Sequence, residues 1–279
     1  MADESASTPP ATPEGRSAPK INTKVAHPAR IYDYYLGGKD NFPADREAAE
    51  KMISATRGGV RAGARQNRAF LVRAVRALTE AGITQFLDIG TGIPTSPNVH
   101  EVARQAVPDA RVAYVDNDPI VLVHARALMT GTGGTSIIQA DLREPDAILE
   151  DPQTRATIDF DRPVGVLLVA VLQFFTEGDD PHGLVRRLLA AVPSGSHLVI
   201  SHYTADFNPA AATRGAVSAY DKATAPLVPR GREEVGRFFT GLDMLEPGVV
   251  QASQWRPDGP VPDIPGGHPW VWAGAGVKP

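Results

Sequence analysis

The stretch Phe86-Leu87-Asp88-Ile89-Gly90-Thr91-Gly92 decides how this chain is read, because an apolar run closes on an acid and two glycines. Thr84 to Ile89 predicts a buried strand. Gly90 and Gly92 can take backbone angles closed to other residues and let a ligand approach the main chain. A helix is expected next, with Ser96 as its N-cap and Pro97 at its first position. A strand, a glycine turn and a helix N-terminus together make a nucleotide-type site. The spacing is not the dinucleotide fingerprint, since Thr95 stands where that pattern needs Gly or Ala.

The acid before the first glycine narrows the choice of ligand. Asp88 would repel a pyrophosphate, whereas it suits a ligand that brings a cationic amine and a sulfonium beside a ribose, as S-adenosylmethionine does. Arg111 to Val115 is a second strand pattern; it ends at Asp116, and Asp118-Pro119 then opens an apolar helix from Ile120 to Met129. In a doubly wound sheet the ligand crevice runs along the C-terminal ends of the strands. A carboxylate at Asp116 can there accept hydrogen bonds from both ribose hydroxyls; the alternative is a solvated loop acid. Thr135 to Ala140 is a third strand ending at Asp141, an acid that can receive the adenine amine beside the Leu142 amide, or simply cap the strand.

Four longer stretches carry a resemblance. Ala29-Arg30-Ile31-Tyr32-Asp33-Tyr34-Tyr35-Leu36-Gly37-Gly38-Lys39-Asp40-Asn41-Phe42, Gln66-Asn67-Arg68-Ala69-Phe70-Leu71, the run Gln85 to Thr95 and Tyr114-Val115-Asp116-Asn117-Asp118-Pro119 resemble a bacterial S-adenosylmethionine-dependent methyltransferase family long catalogued as a domain of unknown function. Ser201-His202 and Glu246-Pro247-Gly248-Val249-Val250 extend the likeness from about Ala26 to the C-terminus. The resemblance implies a class I methyltransferase fold, an α/β Rossmann-like doubly wound sheet, and S-adenosylmethionine as cofactor; it implies no substrate. One departure is visible, Leu172-Gln173 where the family has a Leu-His pair. The expected cofactor residues are Asp88, Gly90, Thr91, Gly92, Asp116, Asn117, Asp141 and Leu142, to which the matching boxes add Tyr34 and Arg68.

Composition sets the outer limits. A chain of 279 residues, 42% of them apolar, can bury one sizeable core. A formal net charge of −4 offers no electrostatic footprint for a nucleic acid backbone. Cys is absent, which excludes disulfides and thiol chemistry and fits a cytoplasmic setting. The seven His show no metal-ligand spacing, so no metal is expected. The longest apolar run, Val164 to Phe175, is too short to span a bilayer, which needs about 20 residues, and reads as a buried fourth strand.

Three regions are expected. Residues 1–25 read as a disordered lead-in, 26–82 as an N-terminal helical cap carrying a ligand-covering box, and 83–279 as the cofactor-binding core. Cap helices are predicted at Ala44 to Ile53 and Gln66 to Ala81. Core helices are predicted near Asn98 to Ala106, Pro119 to Met129, Ala147 to Thr154, His182 to Ala191, Ala210 to Thr224 and Arg232 to Thr240. A fifth strand covers Ser196 to His202. Met244 to Gln251 and His268 to Ala275 are the last two strands, an antiparallel C-terminal addition to a mostly parallel sheet.

Chemistry is carried by few candidates. Methyl transfer from a sulfonium is a direct displacement, so alignment and exclusion of water matter most, and a base is needed only when the acceptor must lose a proton. No Asn/Asp-Pro-Pro-Tyr box occurs. His202, at the end of the fifth strand, is the candidate base, against a structural role. Tyr32, Tyr35, Gln173 and Tyr203 are candidates for the pocket of a small-molecule acceptor; the tyrosine box can cover a cationic ligand with Gly37-Gly38 as hinge, or merely pack on the sheet. Two other readings stand beside methyl transfer: a catalytically silent S-adenosylmethionine-binding or sensor protein, and a nicotinamide-dependent oxidoreductase.

Overall fold

All five residues of Gln85–Ile89 (β1) are buried, which places this strand inside a sheet covered on both faces. The structure, a computed structural model, describes residues 21–129, 133–261 and 270–279. Arg111–Asp116 (β2), Thr135–Gln139 (β3), Gly165–Val169 (β4) and His197–Tyr203 (β5) run parallel to β1 in the order β3-β2-β1-β4-β5. Asp243–Met244 (β6), Val250–Gln251 (β7) and Val271–Val277 (β8) complete an eight-stranded sheet. Strand β8 lies antiparallel beside β5, and β6 and β7 pair antiparallel with β8. This is the mostly parallel, antiparallel-ended sheet of class I methyltransferases that the sequence predicts.

Side chains alternate between the two faces, as they must in a strand. Leu87, Ile89, Val166, Leu168, Leu198 and Ile200 enter one core, together with residues of Pro145–Glu150, Pro181–Ala190 and Arg232–Arg237. Phe86, Val112, Tyr114, Leu167 and Val199 enter the other, against the long helix Gly59–Glu80. A third core joins Pro28–Leu36 (α1) and Pro43–Ala55 (α2) to Ala210–Ser218, Tyr203 and Trp270. With Gly59–Glu80 as α3, the N-terminal helices divide: α3 packs along one face of the sheet, while α1 and α2 meet its end at Tyr203 and Trp270. Among the described residues no helix is long and apolar enough to cross a membrane.

Several boundaries differ from the sequence reading, each for a local reason. The helix expected from Ser96-Pro97 begins later, at Val99–Ala103 (α4), with Asn98 as N-cap in a capping box with Glu101. Arg68 donates to the carbonyls of Thr95 and Pro97 at 2.6 and 2.7 Å, which holds the preceding segment out of the helix. The apolar run Val164 to Phe175 is not strand throughout: β4 stops at Val169, Ala170 sits at φ +57, and Leu172–Phe174 forms a 3-10 turn. Pro152 splits the helix expected at Ala147 to Thr154 into Pro145–Glu150 and Pro152–Thr157, the second capped by Asp151. Met244 to Gln251 is broken into β6 and β7 by Glu246-Pro247-Gly248, where proline cannot donate to a ladder and Gly248 takes φ +80. The predicted start of the last strand at His268 lies outside the described residues, as does all of the lead-in but its last five residues.

Those last residues are tied down. The Arg30 guanidinium donates to the carbonyls of Asn22 and Val25 at 3.1 and 3.2 Å. Its Nε lies 3.1 Å from Asp118 Oδ2 and 3.7 Å from Asp45 Oδ1, with all three side chains buried. Asp45 in turn accepts from the backbone N–H groups of His27 and Phe42 at 2.8 Å each. One buried cation thus ties α1 to α2 and to the loop after β2. Removing one partner of such a cluster leaves charge buried without compensation, so Arg30→Met should cost about 3–5 kcal/mol in urea unfolding. Lys51→Ala, which breaks an exposed pair with Glu47, should leave the midpoint nearly unchanged.

Candidate active site

A cavity of about 470 Å³ opens at the C-terminal ends of β1, β2, β4 and β5, with α1 and α3 closing it from above. Parallel pairing brings those ends level: Asp88 sits beside Tyr114 and Leu167, and Asp116 beside Gln139. Asp88 and Asp116 occupy alternate positions from Phe86 and Tyr114, on the sheet face that α3 covers. Both carboxylates are buried and both line the cavity.

The glycine loop is held by β2. Val115 O accepts from the N–H groups of Gly90 and Thr91 at 2.8 and 3.2 Å, and Asp116 Oδ2 accepts from Gly92 N–H at 2.8 Å. Gly90 and Gly92 take φ +74 and +68, the left-handed region that favours glycine. A Cβ on Gly90 would come within 2.4 Å of Val171 Cγ2, whereas one on Gly92 would meet open space. Gly90 is therefore fixed by packing against the loop after β4, and Gly92 leaves room on the ligand side.

Burial without a bonded cation raises both acids. Asp88 is pushed up to about 6 by burial, eased by the Thr91 hydroxyl, which donates to Oδ2 at 2.9 Å, and by the positive charge of Arg68. Asp116 is also pushed up to about 6 by burial, eased by the N–H groups of Asp118 and Gly92 and raised further by the charges of Asp118 and Asp88. Each Asp116 oxygen accepts one backbone N–H, so each retains a lone pair toward the cavity. Asn117 Nδ2 donates to Asp141 Oδ2 at 2.9 Å, and Arg143 N–H donates to Asp141 Oδ1 at 2.9 Å. Asp141 thus caps its strand as well as lining the cavity beside buried Leu142. Arg68 lines the cavity too; its Nη2 donates to the Thr95 and Pro97 carbonyls, and its positive charge acts on Asp88.

The tyrosine box divides. Tyr32 and Tyr35 line the cavity, and Tyr203 and Gln173 face them from the strand ends. Tyr34, expected at the cofactor, turns outward: its hydroxyl donates to Glu50 at 2.6 Å, and it is not among the cavity residues. On α1 it lies two residues from Tyr32, about 200° round the helix, which puts the two on opposite sides. Gly37 caps α1 at φ +85, and Asp33 accepts from Asp40 N–H and Asn41 Nδ2 at 3.0 and 2.8 Å, so the segment after the tyrosines closes on itself.

His202 also departs from expectation. It follows Leu198 and Ile200 on the sheet face away from α3, and it is not among the cavity residues, while its neighbour Tyr203 is. Its Nδ1–H donates to Tyr203 O at 2.8 Å, and its Nε2 accepts from the Arg230 guanidinium at 3.1 Å. Burial lowers it to about 3. Arg230 itself is buried and donates to the carbonyls of Leu172 and Phe175 and to Glu177. His202 therefore buttresses the loop that carries Gln173 and is no base for the cavity. Sequence reasoning overlooked Tyr220, Trp270, Phe174 and Asn67, which also line the cavity; only the aromatic content of their segments could have pointed to them.

Comparison with known proteins gives the family and the fold. The profile of the S-adenosyl methyltransferase family matches residues 14–279. A DUF574 family protein from Streptomyces avermitilis shares 44% identity, with a TM-score of 0.88 over 93% of this chain and 100% of that one. A candidate methyltransferase from Thermobifida fusca shares 40% identity, with a TM-score of 0.86 over 92% of this chain and 96% of that one. A SAM-dependent methyltransferase from Anabaena variabilis, at 13% identity and a TM-score of 0.54 over 95% of this chain and 100% of that one, shares the fold. No functionally curated protein matches the chain in sequence.

The burial of His202 has a measurable signature. In the folded protein it stays neutral down to about 3, while in the unfolded chain it gains a proton near its ordinary 6.5. The unfolded state thus binds more protons between these values, and stability falls as pH drops from about 6.5 toward 3. His202→Asn should remove that part of the acid sensitivity in thermal unfolding between pH 4 and 7, while leaving the neutral limb of any pH–rate profile unmoved.

Proposed function

This chain belongs to the S-adenosyl methyltransferase family, and from that premise we propose that its cleft moves a methyl group from S-adenosylmethionine to a small-molecule acceptor held beneath α1 and α3. The observation that carries the site assignment is Asp116, buried at a strand end with each oxygen bonded only to one backbone N–H. The donor set fits the cofactor: Asp116 has two lone pairs for a ribose diol, Gly92 leaves room for close approach, and Asp88 offers a buried negative charge to a cationic amine and sulfonium. Asn117, Asp141 and Leu142 border the adenine end, and Thr91 and Arg68 hold the loop in place. When bound, the cofactor supplies an electrophilic methyl group on a sulfonium. The chain's part is to neutralise that cation, orient it toward the tyrosine-lined end and keep water out. The absence of Cys supports a cytoplasmic place of action.

S-adenosylmethionine and S-adenosylhomocysteine should raise the melting temperature through selective binding to the native state, and NAD should not. A shift with NAD and none with either sulfur ligand would overturn the reading.

The raised acids give binding a pH dependence. The free protein holds protons on Asp88 and Asp116 up to about 6, whereas a ribose and a cation need them ionised. Calorimetric affinity for S-adenosylmethionine should therefore weaken about tenfold per carboxylate between pH 7 and 5. Asp116→Asn should bind at least about tenfold more weakly at pH 7 and lose its share of that slope. An unchanged slope in a folded variant would return Asp116 to a structural role.

A further inference from the structure

The cavity has two unlike ends. Its charged residues, among them Asp88, Asp116, Asp118, Arg30 and Arg68, come from the strand ends, the first turn of α1 and the middle of α3. The other end is walled by Tyr35, Tyr203, Tyr220, Trp270, Phe174 and Leu227, which belong to or pack on the apolar core under α1 and α2. We infer that this second end takes an uncharged, planar aromatic acceptor whose nucleophile is a neutral nitrogen. The inference rests on the methyl-transfer reading above and adds the class of acceptor to it.

Flat walls favour a flat ligand. Tyr203 stacks on Trp270 with ring centres 5.6 Å apart and planes at 19°, and Phe174 lies against Tyr220 at 5.7 Å and 36°. Aromatic faces arranged in this way receive a further ring by stacking or edge contact. An anionic acceptor would give up its hydration there and meet the electron-rich faces of the rings.

Two polar atoms are left to grip its edge. The Tyr203 hydroxyl and Asn67 Oδ1 are buried and have no hydrogen-bond partner, in residues that are 4% and 2% exposed. Asn67 Nδ2 is committed to the Tyr32 hydroxyl at 3.0 Å, and that hydroxyl donates to Ala64 O at 3.0 Å. Asn67 Oδ1 is thus an acceptor waiting for an N–H or O–H, and Tyr203 can donate or accept. Buried polar atoms are seldom left unpaired in proteins, and both of these belong to residues that line the cavity.

The nucleophile follows from what the walls cannot do. Burial raises the phenols of Tyr32, Tyr35 and Tyr203 above their ordinary value and pushes Tyr220 up to about 12, so all four stay protonated. Asn67 and Gln173 are amides. Among the described residues at this end none takes up a proton near neutral pH, and a hydroxyl acceptor would have to lose one. A neutral nitrogen need not. Its lone pair forms the new N–C bond, the C–S electron pair stays on sulfur, and the positive charge passes from sulfur to nitrogen. With a ring nitrogen no proton moves; with an amine it leaves to water after release. The aromatic faces then attract the cation that forms.

The test uses the full chain saturated with S-adenosylhomocysteine, whose own binding is measured first by calorimetry. Failure at that step removes the methyl-transfer reading; everything after it concerns the acceptor. The probes are 6-hydroxyquinoline, which has a ring nitrogen and a hydrogen-bonding edge, 2-naphthol, the same rings without nitrogen, and decahydro-2-naphthol, a puckered ring pair without aromatic faces. Both aromatic compounds should bind and decahydro-2-naphthol should not. Tyr203→Phe should weaken 6-hydroxyquinoline about threefold to tenfold while the melting temperature of the free protein holds or rises, since an unpartnered buried hydroxyl is lost. With S-adenosylmethionine, 6-hydroxyquinoline should gain a methyl group on nitrogen and 2-naphthol none. Binding of decahydro-2-naphthol as tight as that of 2-naphthol, methylation of 2-naphthol on oxygen, unchanged affinity in Tyr203→Phe, or no binding of either aromatic compound by the S-adenosylhomocysteine complex would each overturn the inference.

Discussion

A short ladder of backbone N–H groups holds the site together: Gly90 and Thr91 donate to Val115 O, and Gly92 donates to the Asp116 carboxylate. Because donors and acceptors come from adjacent parallel strands, the register of β1 against β2 sets the shape of the glycine loop. The same bonds leave Asp116 ionisable but never fully paired, which is the condition a ribose-binding acid needs. Val171 packs on Gly90 from the other side, so the loop after β4 bears directly on the glycine loop that β2 holds.

The cap joins this ladder through charge. Arg30 reaches from α1 to Asp118, two residues beyond Asp116, and to Asp45 at the start of α2. Asp118 N–H in turn donates to Asp116 Oδ1. The segment that lines the cavity with Tyr32 and Tyr35 is thereby coupled to Asp116, the acid we assign to the cofactor. On the far face of the sheet Arg230 plays a comparable part for the loop bearing Gln173, gripping the Leu172 and Phe175 carbonyls with His202 as its support. Gln173 Oε1, at the position where the resemblance leads one to expect His, accepts from Tyr203 N–H at 2.8 Å and so orients the strand end.

The division of the cavity into a charged and an aromatic end separates what is shared from what is particular. The charged end is assembled from strand-end acids and the glycine loop, the parts that the proposed reading assigns to the methyl donor. The aromatic end draws on α1, α3, the segment around Tyr220 and Trp270, which lie far apart in the chain. On the proposed reading, substrate choice resides in the cap and its contacts, and chemistry in the sheet.

The sequence by itself determined the sheet, its strand-end acids and the cofactor loop, because each is written locally: an apolar run, an acid, a glycine at a positive φ. It also contained the answer on His202, since Leu198, Ile200 and His202 share one face by simple alternation while Tyr203 takes the other. Only the tertiary structure decided which side of α1 meets the ligand, and so separated Tyr34 from Tyr32 and Tyr35. Only it showed that Arg68 holds a loop, that Pro97 lies outside its expected helix, and that Tyr220, Trp270 and Asn67 share a pocket with Tyr203. The physical reason is range: backbone propensity and strand alternation act over a few residues, whereas burial, pairing of polar groups and the raised acids depend on neighbours that the chain supplies from a hundred or more residues away.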